Sequence, residues 1–97
     1  MNIDIRGVHY DISENTRDHI DKKLKRLSYA EDLIIDLLIT ISHDKNGYAI
    51  EVTVNFKWGK GAHLKVETYE LFKGIDNLFN KLDNKIAKEK EKIQEHQ

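Results

Sequence analysis

From Tyr48 to Trp58 every second residue is apolar and bulky: Tyr48, Ile50, Val52, Val54, Phe56 and Trp58 alternate with Ala49, Glu51, Thr53, Asn55 and Lys57. A period of two marks an extended strand packed on one face and wetted on the other. The chain must therefore build a sheet with one apolar face and find something to cover it. The preceding "HDKNG" (43–47) carries Asn-Gly, the strongest short-range hairpin signal. Before it, "LIIDLLITIS" (33–42), rich in β-branched residues, reads as a largely buried strand. "GKG" at 59–61 turns the chain again, and Ala62, Leu64 and Val66 form a fourth strand on the same apolar side. At the start, Ile3 and Ile5 alternate with polar residues in a short strand that ends at Gly7.

Two amphipathic segments supply the cover. Ser13 followed by Glu14 is an N-cap with an acid in the first turn, and Ile20, Leu24 and Leu27, with Thr16 behind them, form a helical stripe. Thr68 or a neighbour caps a longer helix whose stripe is Leu71, Ile75, Leu78, Leu82 and Ile86, with Phe72 and Phe79 at its margin. The closing "KIQEHQ" is expected to fray. The order is β-α-β-β-β-α, an α+β fold with a four-stranded sheet, two helices packed on one face and a polar opposite face. If the first two strands pair in parallel, the crossover between them is right-handed.

With 97 residues, no proline and no Ser/Gly-rich linker, 1–97 reads as one domain, expected to be monomeric in isolation. No run approaches the roughly 18 apolar residues of a membrane span, and the start lacks a signal-peptide layout. The cytoplasm is the expected compartment, with no membrane partner. The absence of cysteine excludes disulfide and thiolate chemistry.

A formal net charge of −1 gives no hint of a polyanion partner, but its distribution does. With Ile75 at zero on a wheel of 100° per residue, Lys81, Lys85, Lys88 and Lys92 fall at about 220–280°, beside the apolar stripe. Asp76 and Asp83 lie on the other flank, near ~100° and ~80°. Glu89 and Glu95 are close enough to weaken the lysine band, and Lys90 lies off it. Intrahelical pairing suits Lys85 with Glu89, Lys88 with Glu91, and Lys92 with Glu89 or Glu95. It fails for Lys81, whose neighbours three and four residues away are Asn77, Leu78, Asn84 and Lys85. In the first helix Lys22, Lys23, Lys25 and Arg26, with Arg17, outnumber Glu14, Asp18 and Asp21, and Lys22, Lys25 and Arg26 project opposite the apolar stripe. Helices lying side by side would present one slab with rows of cations, a footprint for the phosphates of folded RNA. The plainer alternative is a solvated helix laced with i,i+4 pairs.

Other chemistry is not indicated. The histidines at 9, 19, 43, 63 and 96 lack metal-ligand spacing, so no metal is expected. Serines 13, 28 and 42 lack a nucleophile context, and there is no Gly-rich phosphate loop. Asp76 and Asp83 share a helix face about 10 Å apart, too far to share a proton. Trp58 follows the strand alternation and suits core packing better than base stacking. These patterns offer no catalytic constellation, cofactor or small-molecule substrate.

"MNIDIRGVHYDISENTRDHIDKKLKRL" resembles the opening of bacterial ribosome hibernation-promoting factors, also called ribosome-associated inhibitors. "ELFKGIDNLFNKLDNKIAKEKEK" is similar to that family's second-helix signature, an acid and an aromatic, then Ile-Asp, then a lysine-rich amphipathic tail. The resemblance spans nearly the whole chain. It implies a fold like a double-stranded-RNA-binding domain and a partner in the small ribosomal subunit and its rRNA. The protein would sit in the mRNA/tRNA channel at the decoding centre and silence translation in starved or cold cells. Lys22, Lys23, Lys25, Arg26, Lys81, Lys85, Lys88 and Lys92 would meet rRNA phosphates. The chain stops after the second helix, as in the short form. Glu70 replaces the usual Asp, Phe72 the usual Tyr, and Lys73-Gly74 the usual alanines. Two alternatives stay open: a structured-RNA module acting off the ribosome, and a protein-interaction domain using an edge strand or the polar sheet face around Thr53 and Asn55.

Overall fold

The computed structural model describes the backbone of residues 1–95 and the side chains of residues 1–92. Its elements run β1 (Asn2–Val8), α1 (Glu14–Lys25), a 3-10 turn (Ser28–Ala30), β2 (Ile34–Asp44), β3 (Gly47–Phe56), β4 (Gly61–Thr68) and α2 (Leu71–Glu95). The sequence pattern anticipates the helices and strands but not the 3-10 turn. Helix α2 continues to Glu95, well into the segment expected to fray, and the remainder, with His96, lies outside the described residues.

The sheet order is β1-β2-β3-β4, with β1 parallel to β2 and the other pairs antiparallel. Register places Leu37, Ile39 and Ile41 beside Val54, Val52 and Ile50, and sets Leu64 and Val66 opposite Val52 and Ile50. These residues share one core with Ile20 and Leu27 from the α1 side and with Ile75, Leu78, Phe79, Leu82 and Ile86 of α2. Each fully buried side chain of this size contributes roughly 1.5–3 kcal/mol. Ser13 caps α1 as expected: its Oγ accepts from the Thr16 N–H at 3.1 Å.

Strand β2 is buried on one face only. Its register shifts between Ile34 and Asp36, Ile35 is left 45% exposed, and Leu38 is half-buried. A sheet covered by helices on one side requires burial of every second residue and no more. The hairpin also differs in detail from a simple Asn-Gly turn. Asp44 pairs with Gly47 across Lys45 and Asn46, and the positive φ falls on Gly47 (112°), as in a type I turn completed by a left-handed glycine. The Asp44 carboxylate accepts from the Asn46 N–H at 2.7 Å. Trp58 stands beyond the end of β3, yet its ring lies flat on Phe56, with centroids 4.7 Å apart, and packs against the core from the turn.

Gly74 shows why propensity alone misleads. Inside a helix a glycine costs up to about 1 kcal/mol relative to Ala, and Gly74 is the fourth residue of α2. A Cβ there, however, would overlap the Thr68 methyl and lie 2.8 Å from Cδ1 of Ile50. The absent side chain lets α2 sit down on β3 and β4. Gly74→Ala is therefore expected to lower stability by about 1–3 kcal/mol, and a rise in the chemical denaturation midpoint would contradict this account.

Candidate nucleic-acid interface

Charge is partitioned between the layers. Helix α1 with Arg26, together with α2, holds eleven basic and eight acidic residues, whereas the rest of the chain holds five and nine. The near-neutral total thus conceals a helical layer of net +3 on a remainder of net −4.

Lys81, Lys85 and Lys88 line one open hollow of about 320 Å³ with Asn84 and with Leu64 of β4. The lysine row therefore lies on the β4 flank of α2. The opposite flank faces α1. Asp76 Oδ1 is 2.7 Å from His19 Nε2 and 3.1 Å from Lys23 Nζ, and the Phe72 ring stacks on His19 at 4.6 Å and 4°. Two turns further along this seam, the Tyr29 hydroxyl donates to Asp83 Oδ1 at 2.9 Å. The cations of α1 and those of α2 consequently lie to either side of α2, and the side-by-side slab is divided by the width of that helix. Lys22, Lys25 and Arg26 are exposed, but Lys23 is turned inward, its side chain 17% exposed. Its bond to Asp76 makes it a seam residue first.

The row itself is unequal. Glu89 lies about 40° from Ile75 on the helical wheel, on the apolar stripe, and is buried. Its Oε1 is 3.1 Å from Lys85 Nζ and 3.4 Å from Lys92 Nζ. The hydrogen bond from Lys85, opposed by desolvation and helped by the charge of Lys92, holds this carboxyl below its usual range. Two of the four lysines thus share one counter-charge. Lys81 and Lys88 are exposed and make no ion pair among the described residues. The expected pairing of Lys88 with Glu91 is not formed, and pairing of Lys92 with Glu95 lies outside the described side chains.

The seam carries its own pH dependence. Desolvation pushes the Asp76 carboxyl up, but the hydrogen bonds and charges of His19 and Lys23 outweigh it and leave the group below its ordinary value of 3.8. A depressed carboxylate stabilises the fold above its unfolded value and loses that contribution as pH falls through the folded value. Acid unfolding of the wild type should accordingly steepen below about pH 4. Asp76→Asn should flatten that limb, and an identical acid limb in the variant would refute the assignment. At the alkaline end, burial and the Asp83 hydrogen bond push the Tyr29 hydroxyl up to about 12. Its contribution is complete below pH ~10 and fades as pH rises towards that value.

A family model described as sigma 54 modulation protein / S30EA ribosomal protein matches residues 3–94. A ribosome hibernation promoting factor from Azotobacter vinelandii is 30% identical over 97 residues, covering 100% of this chain and 90% of its own length. Among solved structures, a ribosomal subunit interface protein from Coxiella burnetii superposes with a TM-score of 0.84 at 28% identity, over 93% of this chain and 98% of the other. The N-terminal domain of Thermus thermophilus Protein Y does so with a TM-score of 0.78 at 25% identity, over 91% and 98%.

Proposed function

The chain belongs to the sigma 54 modulation protein / S30EA ribosomal protein family, and from that premise we propose that it is a ribosome hibernation factor acting in the cytoplasm. It holds small-subunit rRNA near the decoding centre and silences translation by occluding mRNA and tRNA, with no chemical step. The observation that carries this reading is the β4 flank of α2, where Lys81 and Lys88 stand exposed without carboxylate partners among the described residues. Lys22, Lys25 and Arg26 offer a second set of phosphate contacts beyond α2. Lys85 and Lys92 contribute in part, because Glu89 already engages them. The printed names of the relatives, ribosome hibernation promoting factor and ribosomal subunit interface protein, support the ribosome as partner.

Co-sedimentation with purified small subunits tests the proposal. Binding should be strong at low salt and fall with a log–log slope of about −4 to −5 if four to six phosphates are neutralised. Saturating mRNA and tRNA should displace the protein. Equal affinity for isolated RNA duplexes would favour a module acting off the ribosome, and indifference to bound mRNA and tRNA would remove the occlusion mechanism.

A further inference from the structure

We propose that the hollow between α2 and β4 seats a single unstacked nucleotide, with adenine preferred, from the RNA held by the lysine row. This rests on the RNA-binding reading above and adds a specificity to it. A surface that only tracks a duplex backbone needs cations along a ridge. Here the cations surround a concavity with a different centre. Leu64 faces the helix side of the sheet's edge strand, and α2 leaves it only half-buried, so it forms an apolar floor. Asn84, an exposed residue, lines the same hollow.

The positions fit one extended nucleotide. Lys81 and Lys88 lie two helical turns apart, about 10 Å along the axis, with Asn84 and Lys85 between them. Charge at both ends and an apolar patch in the middle match a base and ribose flanked by the two phosphates that link them to the strand. Unpaired bases are recognised by apolar or stacking contact together with hydrogen bonds to their exposed edges. An asparagine amide donates and accepts side by side, which complements the amino and ring-nitrogen pair of adenine.

The test uses the full chain and short oligouridines with or without one central adenosine, alongside a duplex of equal length. The wild type should bind the adenosine-containing strand roughly tenfold tighter than uridine alone. Asn84→Ala should abolish that preference, and Leu64→Ser should weaken both strands. Lys81→Gln with Lys88→Gln should weaken every RNA alike. Equal affinity for the two strands in the wild type, or a preference that survives Asn84→Ala, overturns the pocket. If that preference is absent while the double lysine variant still loses the ribosome, only the pocket fails. If the double variant stays bound to subunits, the RNA-binding reading fails instead. Adenosine monophosphate, with one phosphate, should compete poorly. Competition at the oligonucleotide's own concentration would make the ligand a free nucleotide and overturn the RNA assignment.

Discussion

Replacing Lys81 and Lys88 together by glutamine is expected to release the protein from small ribosomal subunits without lowering its melting temperature. Both side chains are exposed, and neither holds a carboxylate among the described residues, so their replacement breaks no ion pair there. Each neutralised phosphate contributes close to one unit to the salt slope. Losing two should make that slope shallower by nearly two and weaken binding roughly 60-fold at about 0.1 M salt. The paired lysines supply the contrast. Lys85→Gln or Lys92→Gln should cost less, because Glu89 already cancels part of either charge. Lys23→Gln should act on the melting temperature, since it removes a bond to Asp76 across the α1–α2 seam. Retention of the Lys81/Lys88 variant on subunits at moderate salt would end the idea that this flank carries the affinity.

The sequence shows the layers because their signals are local. Alternation from Tyr48 to Phe56 specifies β3, Ser13 marks the start of α1, and the stripe from Leu71 to Ile86 specifies the buried side of α2. Features that depend on a distant partner were hidden. His19 and Asp76 are 57 positions apart, and nothing beside either one announces the bond. The inward turn of Lys23 follows from the same packing. Gly74 looks like a weak point of α2 until Thr68 and Ile50 are placed against it. Glu89 is a different case, because its signal was present. A carboxylate on the apolar stripe beyond Ile86 has to be buried with a partner, and lysines at i−4 and i+3 were in the sequence to provide it. The wheel counted Glu89 as a flaw in the lysine band when it is the band's internal counter-ion.

That counter-ion leads to the opposite prediction from the loss of lysines. Glu89→Gln should tighten RNA binding and steepen its salt dependence while making the protein less stable. The amide keeps nearly the same shape and can still accept a hydrogen bond from Lys85, so the helix should form as before. What disappears is a negative charge shared by two ammonium groups. If both groups become available to phosphates, the slope steepens by up to about 1.8 and affinity rises by as much as ~60-fold at 0.1 M salt. Stability should fall by about 1 kcal/mol, the scale of a hydrogen bond to a charged group whose partners are partly solvated. The acid limb supplies a third readout. Glu89, held below its usual range, stabilises the fold above its unfolded value and loses that contribution as pH falls, so the variant should be less sensitive to acid in that range. Unchanged affinity and slope in Glu89→Gln would mean that Lys85 and Lys92 never reach RNA. The interface would then shrink to Lys81, Lys88 and the exposed cations of α1.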